Sequence, residues 1–155
     1  IRDLYLSYME LRSHLEEIKD VLGGLPFLET LHLDGNNLGS AGAEILKTSL
    51  PLLRHLKSLS LAHNNFKEGC CSNDLSSLIA GLNAMHVAAG SGEPSHGLVT
   101  LDLSYNKIES SEILTSLNSA LSGHARTLTT LNLVGNSISK KNQGIISFPG
   151  LKVIY

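Results

Sequence analysis

Residues 28–38 read LETLHLDGNNL. The centre alternates, so in an extended strand Leu31 and Leu33 face one side while Thr30, His32 and Asp34 face the other. The frame L-x-x-L-x-L-x-x-N-x-L returns as LKSLSLAHNNF at 56–66, LVTLDLSYNKI at 98–108 and LTTLNLVGNSI at 128–138, with Phe66, Ile108 and Ile138 in the last place. IRDLYLSYMEL at 1–11 fits with Met9 instead of asparagine, and LKVIY at 151–155 supplies Leu151 and Ile154. Periodicity of this kind decides the architecture before any other feature.

Each place in the frame has a physical task. The leucines form the inward side of a short strand. Asn36, Asn64, Asn106 and Asn136 are expected to be structural, bonding backbone groups left unpaired where the strand turns. Met9 cannot make such bonds, so the first turn is expected to be looser or closed by other groups.

Successive frames lie 27, 28, 42, 30 and 23 residues apart, enough in most units for a helix. SHLEEIKDVLGG opens with a capping box, Ser13 and Glu16, and carries Leu15, Ile18, Val21 and Leu22 on one face. SAGAEILKTSL takes Ser40 as its N-cap, with Ala43, Leu46 and Leu50 inward. SSEILTSLNSALSG takes Ser110, with Ile113, Leu114, Leu117, Ala120 and Leu121 inward. In the long unit a helix is expected from about Asn73 to Ala89, with Leu75, Leu78, Ile79, Leu82 and Met85 inward, then an inserted loop at about 88–97. The last unit is short, with Ile145, Ile146 and Phe148 filling the core instead of a helix.

These frames resemble the leucine-rich repeat family, and the G-A-x-x-L run at Gly42–Leu46 with units near 28 resembles its ribonuclease-inhibitor-like subclass. The resemblance implies an α/β solenoid of about five to six repeats, right-handed, with a parallel sheet on the concave face and helices on the convex face. Residues 1–155 read as one such domain. Both chain ends fall inside strand frames without a polar capping unit, as expected of a fragment of a longer protein.

Composition narrows the function. No apolar run approaches a membrane span, and a net charge of -2 gives no basic face for nucleic acid. The only cysteines, Cys70 and Cys71, are adjacent, so no disulfide framework exists and an intracellular, cytoplasmic setting is expected. No phosphate-cradling glycine loop is present, and no cofactor is expected.

Stacked frames put equivalent positions in outward rows. The row between the strand leucines reads Tyr5, His32, Ser60, Asp102, Asn132 and Tyr155. The row before it reads Asp3, Thr30, Ser58, Thr100, Thr130 and Val153; the row after reads Ser7, Asp34, Ala62, Ser104 and Val134. Beside that lie Tyr8, Gly35, His63, Tyr105 and Gly135. Ser60, His32 and Asp34 are the residue types of a nucleophile, base and acid. Yet same-face residues two apart on a strand lie roughly 6.5–7 Å apart and point in parallel, a poor start for an Asp–His bond. His63, Cys70 and Cys71 lack metal-site spacing. Neither catalysis nor metal binding is expected.

The expected activity is therefore non-enzymatic: a module of a larger intracellular scaffold or regulator, binding a protein partner through Tyr5, His32, Asp34, His63, Asp102, Tyr105 and Asn132. Tyrosine at outward positions offers apolar area plus a hydroxyl, the profile of an interface anchor. The alternative is a GTPase-activating or other GTPase-regulating protein, since ribonuclease-inhibitor-like repeats also occur in activators of the transport GTPase Ran. That role asks for a charged contact surface and an acidic tail, neither visible here.

Overall fold

The computed structural model describes residues 1–68, 74–87 and 97–155. Six three-residue strands, β1 (Asp3–Tyr5), β2 (Thr30–His32), β3 (Ser58–Ser60), β4 (Thr100–Asp102), β5 (Thr130–Asn132) and β6 (Lys152–Ile154), form one parallel sheet in chain order. Helices α1 (Leu15–Gly23), α2 (Gly39–Ser49), α3 (Asp74–Val87) and α4 (Ser111–Leu121) connect the first five strands and form the opposite layer. The alternation works as expected: Leu31, Leu59, Leu101 and Leu131 are buried between half-exposed neighbours. They join Leu22, Leu46, Leu78 and Leu114 in one continuous core between sheet and helices. No single unit encloses its own leucines, so each repeat is stable only against its neighbours. This is a leucine-rich α/β solenoid.

The register pairs Tyr5, His32, Ser60, Asp102 and Asn132 across neighbouring strands, as the frames require. The sixth unit departs from it. Leu151 keeps the opening turn, its N–H bonding the Phe148 carbonyl as Leu28 bonds Leu25 and Leu56 bonds Leu53. After that turn one residue is missing, and Val153 pairs with Leu131 and Ile154 with Asn132. A one-residue slip exchanges the two faces. Ile154 therefore takes the outward place expected of Tyr155, whose side chain instead packs against the core and accepts a hydrogen bond from the Gly144 N–H at 3.0 Å.

The helix starts divide between local and distant caps. Ser110 caps α4 as expected, its hydroxyl accepting from the Ile113 N–H at 3.2 Å. Ser13 does not cap α1: it lies in a 3-10 turn at Leu11–Ser13 and donates to the Glu10 carbonyl, while His14 flanks the helix without a side-chain capping hydrogen bond. Ser40 caps nothing either, because α2 begins at Gly39 and its entry is bonded by the next repeat. The Leu38 N–H goes to the Asn64 side chain and the Gly39 N–H to the Asn64 carbonyl. Val21, expected inward, is exposed. Residues 145–148 fill the last unit without a helix: Ile146 is buried, and Ile145 and Phe148 pack against the core.

The four asparagines act across repeats as well as within them. Asn106 donates to the Leu103 and Ser104 carbonyls of its own turn and to the Leu61 carbonyl of the preceding unit. Its carbonyl oxygen accepts from the Asn64 and Phe66 N–H groups of that preceding unit. Asn64 does the same for the second unit, and Asn136 bonds Leu103 and Ile108 of the fourth. Asn36 accepts from Met9 and Leu11 and donates to Leu6. The turn at Met9 is thus closed by the asparagine of the following repeat.

The 42-residue unit is anchored by two residues with no counterpart in the frame. Gly81 of α3 lies against the α2 backbone, where a Cβ would stand 2.9 Å from the Lys47 Cα. Buried His124 accepts the Leu98 N–H on Nδ1 at 3.1 Å, which leaves Nε2 to donate to the Leu82 carbonyl at 3.1 Å. Entry to β4 is thereby fixed after α3. Of the expected loop at 88–97, only Gly97 is among the described residues.

Candidate functional site

Six strands at about 4.8 Å spacing give an outward face about 25 Å wide. Sequence reasoning placed its candidate residues there, and the geometry sorts them into two kinds.

The first kind is aspartates already engaged with neutral donors. Asp34 spans three repeats: Oδ2 accepts from the Ser7 hydroxyl at 3.0 Å, and Oδ1 from the Ser60 hydroxyl at 2.6 Å and the Ala62 N–H at 2.8 Å. Asp102 accepts from the Ser104 hydroxyl and N–H on Oδ1 and from the Asn132 amide on Oδ2 at 2.8 Å. Asn132 turns its own oxygen to the Val134 N–H at 3.1 Å. Hydroxyl and amide donors satisfy these carboxylates without neutralising them.

This arrangement decides the acid–base reading. Ser60 bonds Asp34 directly, and His32 Nδ1 stands 3.9 Å from Asp34 Oδ2. The carboxylate sits where a base would have to be, so serine and histidine form no nucleophile–base couple.

The second kind is exposed rings. Tyr5 meets His32 edge-on, with ring centroids 4.8 Å apart. His63 stacks on Tyr105 at 4.4 Å with planes only 7° apart. Tyr8, Gly35, His63, Tyr105 and Gly135 occupy one place in successive frames, and all five have left-handed backbone, φ 51° to 72°. Two glycines recur there for a steric reason as well. A Cβ on Gly35 would stand 2.2 Å from the Tyr8 ring, and one on Gly135 would stand 2.4 Å from the Tyr105 ring. Each tyrosine lies over the glycine of the next repeat, fixed in place yet 69% and 51% exposed. Tyr8 was legible as a neighbour of the strand row, but nothing in the sequence told of its seat on Gly35.

The strand-entry edge of the face is closed electrostatically. Glu29 bridges Lys57 at 2.7 Å and Arg2 at 3.0 Å across three repeats. The Lys57 hydrogen bond, helped by the charges of Lys57 and Arg2, holds the Glu29 carboxyl below the usual carboxylate range. Along the opposite edge, Glu68 accepts from the Glu109 and Ser110 N–H groups at the start of α4. That second cross-repeat contact has no signal in the repeat frame.

On the helical layer, a groove of about 450 Å³ opens between α3 and α4, lined by Ser76, Ile79, Asn83, Thr115, Ser116 and Ser119 among others. Its walls carry no charge. Among the described residues, no group of three or more His, Cys, Asp or Glu side chains converges as a metal site, and no helix is long and apolar enough to cross a membrane. Cys70 and Cys71 lie outside the described residues.

Comparison with known families matches these repeats directly. Two leucine-rich repeat models match, one at residues 24–46 and 124–141, the other at 55–81 and 97–120. Together they cover more than half of the chain. No curated protein matches. Domains of this kind generally mediate protein–protein interaction and are typically non-enzymatic. With its frames, its parallel sheet and both family models in agreement, the chain belongs to the leucine-rich repeat family.

Proposed function

We propose that residues 1–155 form one recognition domain, of the ribonuclease-inhibitor-like kind, that holds a protein partner on its concave face within a larger intracellular scaffold or regulator. The observation that carries this reading is the pair of ring clusters, Tyr5 with His32 and His63 with Tyr105, held on a sheet face where Asp34 bonds Ser7 and Ser60 and Asp102 bonds Ser104 and Asn132. Rigid aromatic groups lose little conformational freedom on binding and dominate interface energetics. Asp34, Asp102 and Asn132 shape and charge the floor beneath them.

Quantitative affinity capture from cell lysate tests this. The double variant Tyr5→Ala, Tyr105→Asn removes both clusters while keeping a residue suited to left-handed backbone at 105. Ser116→Arg fills the α3–α4 groove instead. Partners retained by wild type and Ser116→Arg but lost by the double variant support the concave face. The opposite pattern moves the site to the helical layer.

A further inference from the structure

The concave rows hold three carboxylates, Asp3, Asp34 and Asp102, and a single cation, Lys152, on the last strand. At the strand-entry edge Arg2 and Lys57 are engaged by Glu29. Asp34 and Asp102 take their hydrogen bonds from hydroxyl and amide donors, which fix the carboxylates in position, and His32 Nδ1 stands 3.9 Å from Asp34 Oδ2, beyond hydrogen-bond reach. Asp34 stands beside one ring cluster, and Asp102 lies three residues before Tyr105 of the other. Asp34 lies between His32, which contacts Tyr5, and Gly35, on which Tyr8 rests. Asp102 lies two strands further on, next to Ser104, whose carbonyl bonds the His63 N–H. A carboxylate below exposed aromatic rings attracts a guanidinium or ammonium twice, by charge and by the ring quadrupole.

The spacing limits what can use both places. Two strand intervals combined with a two-residue offset along the strand put Asp34 and Asp102 about 12 Å apart. Two turns of α-helix advance about 11 Å. An extended segment would arrive with unpaired backbone groups on a sheet face that offers none in return, whereas a helix satisfies its own backbone. Resting on the concave-face reading above, we propose that this face takes a basic helix of a protein partner, with one cation over Asp34 between Tyr5 and Tyr8 and a second, two turns away, over Asp102 beside His63 and Tyr105.

An isotope-labelled sample of the whole chain, followed by amide chemical shifts, tests this with three alanine-rich helical peptides. One carries two arginines seven residues apart, the second glutamines and the third glutamates at those places. The arginine peptide is expected to shift the amides of Tyr5, Tyr8, His32 and Tyr105. It should bind at least about tenfold more tightly than the glutamine peptide, with the glutamate peptide not binding. Its affinity should fall several-fold between about 0.05 and 0.3 M salt. Tyr5→Ala and Tyr8→Asn, which leave the carboxylates and the core untouched, should each weaken it several-fold. Equal binding of all three peptides on the concave face would overturn the cationic specificity while leaving the face as the binding surface. Shifts confined to the α3–α4 groove would overturn both readings. Absence of any shift with the arginine peptide at millimolar concentration would overturn this proposal, and lysate capture would then stand as the separate measure of the face.

Discussion

Two sets of hydrogen bonds tie the repeats together, one made by asparagines at the turns and one by two aspartates, Asp34 and Asp102, on neighbouring rows of the outward face. Asn106 makes five side-chain hydrogen bonds, every one to the backbone. Asp34 makes three, two of them to serine hydroxyls. The asparagine bonds close turns at Asn36, Asn64 and Asn106 that are buried away from water. The aspartate bonds order side chains at a half-exposed face, where water can take over part of their role. Medium, more than bond count, decides what each set is worth.

Asn106→Ala is the strongest way to probe that difference. It strands buried N–H and C=O groups in two repeats and should cost about 3–5 kcal/mol in urea unfolding. A loss below about 1 kcal/mol would mean that water enters the turn and that the two sets are equivalent. Asp34→Ala should follow at about 2 kcal/mol, because it unties Ser7 and Ser60 from a carboxylate shared by three repeats. Asp102→Ala should cost about 1 kcal/mol, since one of its two donor residues, Ser104, belongs to its own repeat. If Asp102→Ala proved the costlier, reach across repeats would not be what ranks the aspartates.

The smallest effect lies at the edge. Glu29 has a folded-state pKa below its ordinary value, chiefly through the Lys57 hydrogen bond. A lowered carboxylate pKa stabilises the fold above the unfolded value, and that contribution is lost as pH falls through the folded value. Lys57→Met should therefore move the Glu29 midpoint, followed by side-chain NMR, up toward the ordinary carboxylate range, with little change in stability at neutral pH. An unmoved midpoint would assign the shift to Arg2.

What could be read from the sequence follows the same division. The leucines, the asparagines and the first five strand registers were legible because a frame repeated down the chain reports the same environment each time. Ser13 and Ser40 misled because a cap is a local signal, and here the turn entering α1 and the side chain of Asn64 had already settled those helix starts. The bonds of Asp34 to Ser7 and Ser60, and of Glu68 to the start of α4, join residues 26 to 42 positions apart. No single frame contains both partners of such a contact. Tyr155 reads as outward from the frame yet packs inward, because the sixth unit drops one residue after Leu151 and a shortened frame looks intact until its strand is paired.

The direction of the asparagine contacts has a consequence for synthesis. Every asparagine reaches back to the repeat before it, so a turn leaving the ribosome lacks its last partners until another 27 to 42 residues have been made. Each repeat waits, incomplete, for its successor. The chain would therefore close from its beginning toward its end with a lag of one unit, its newest turn always the one still open to water.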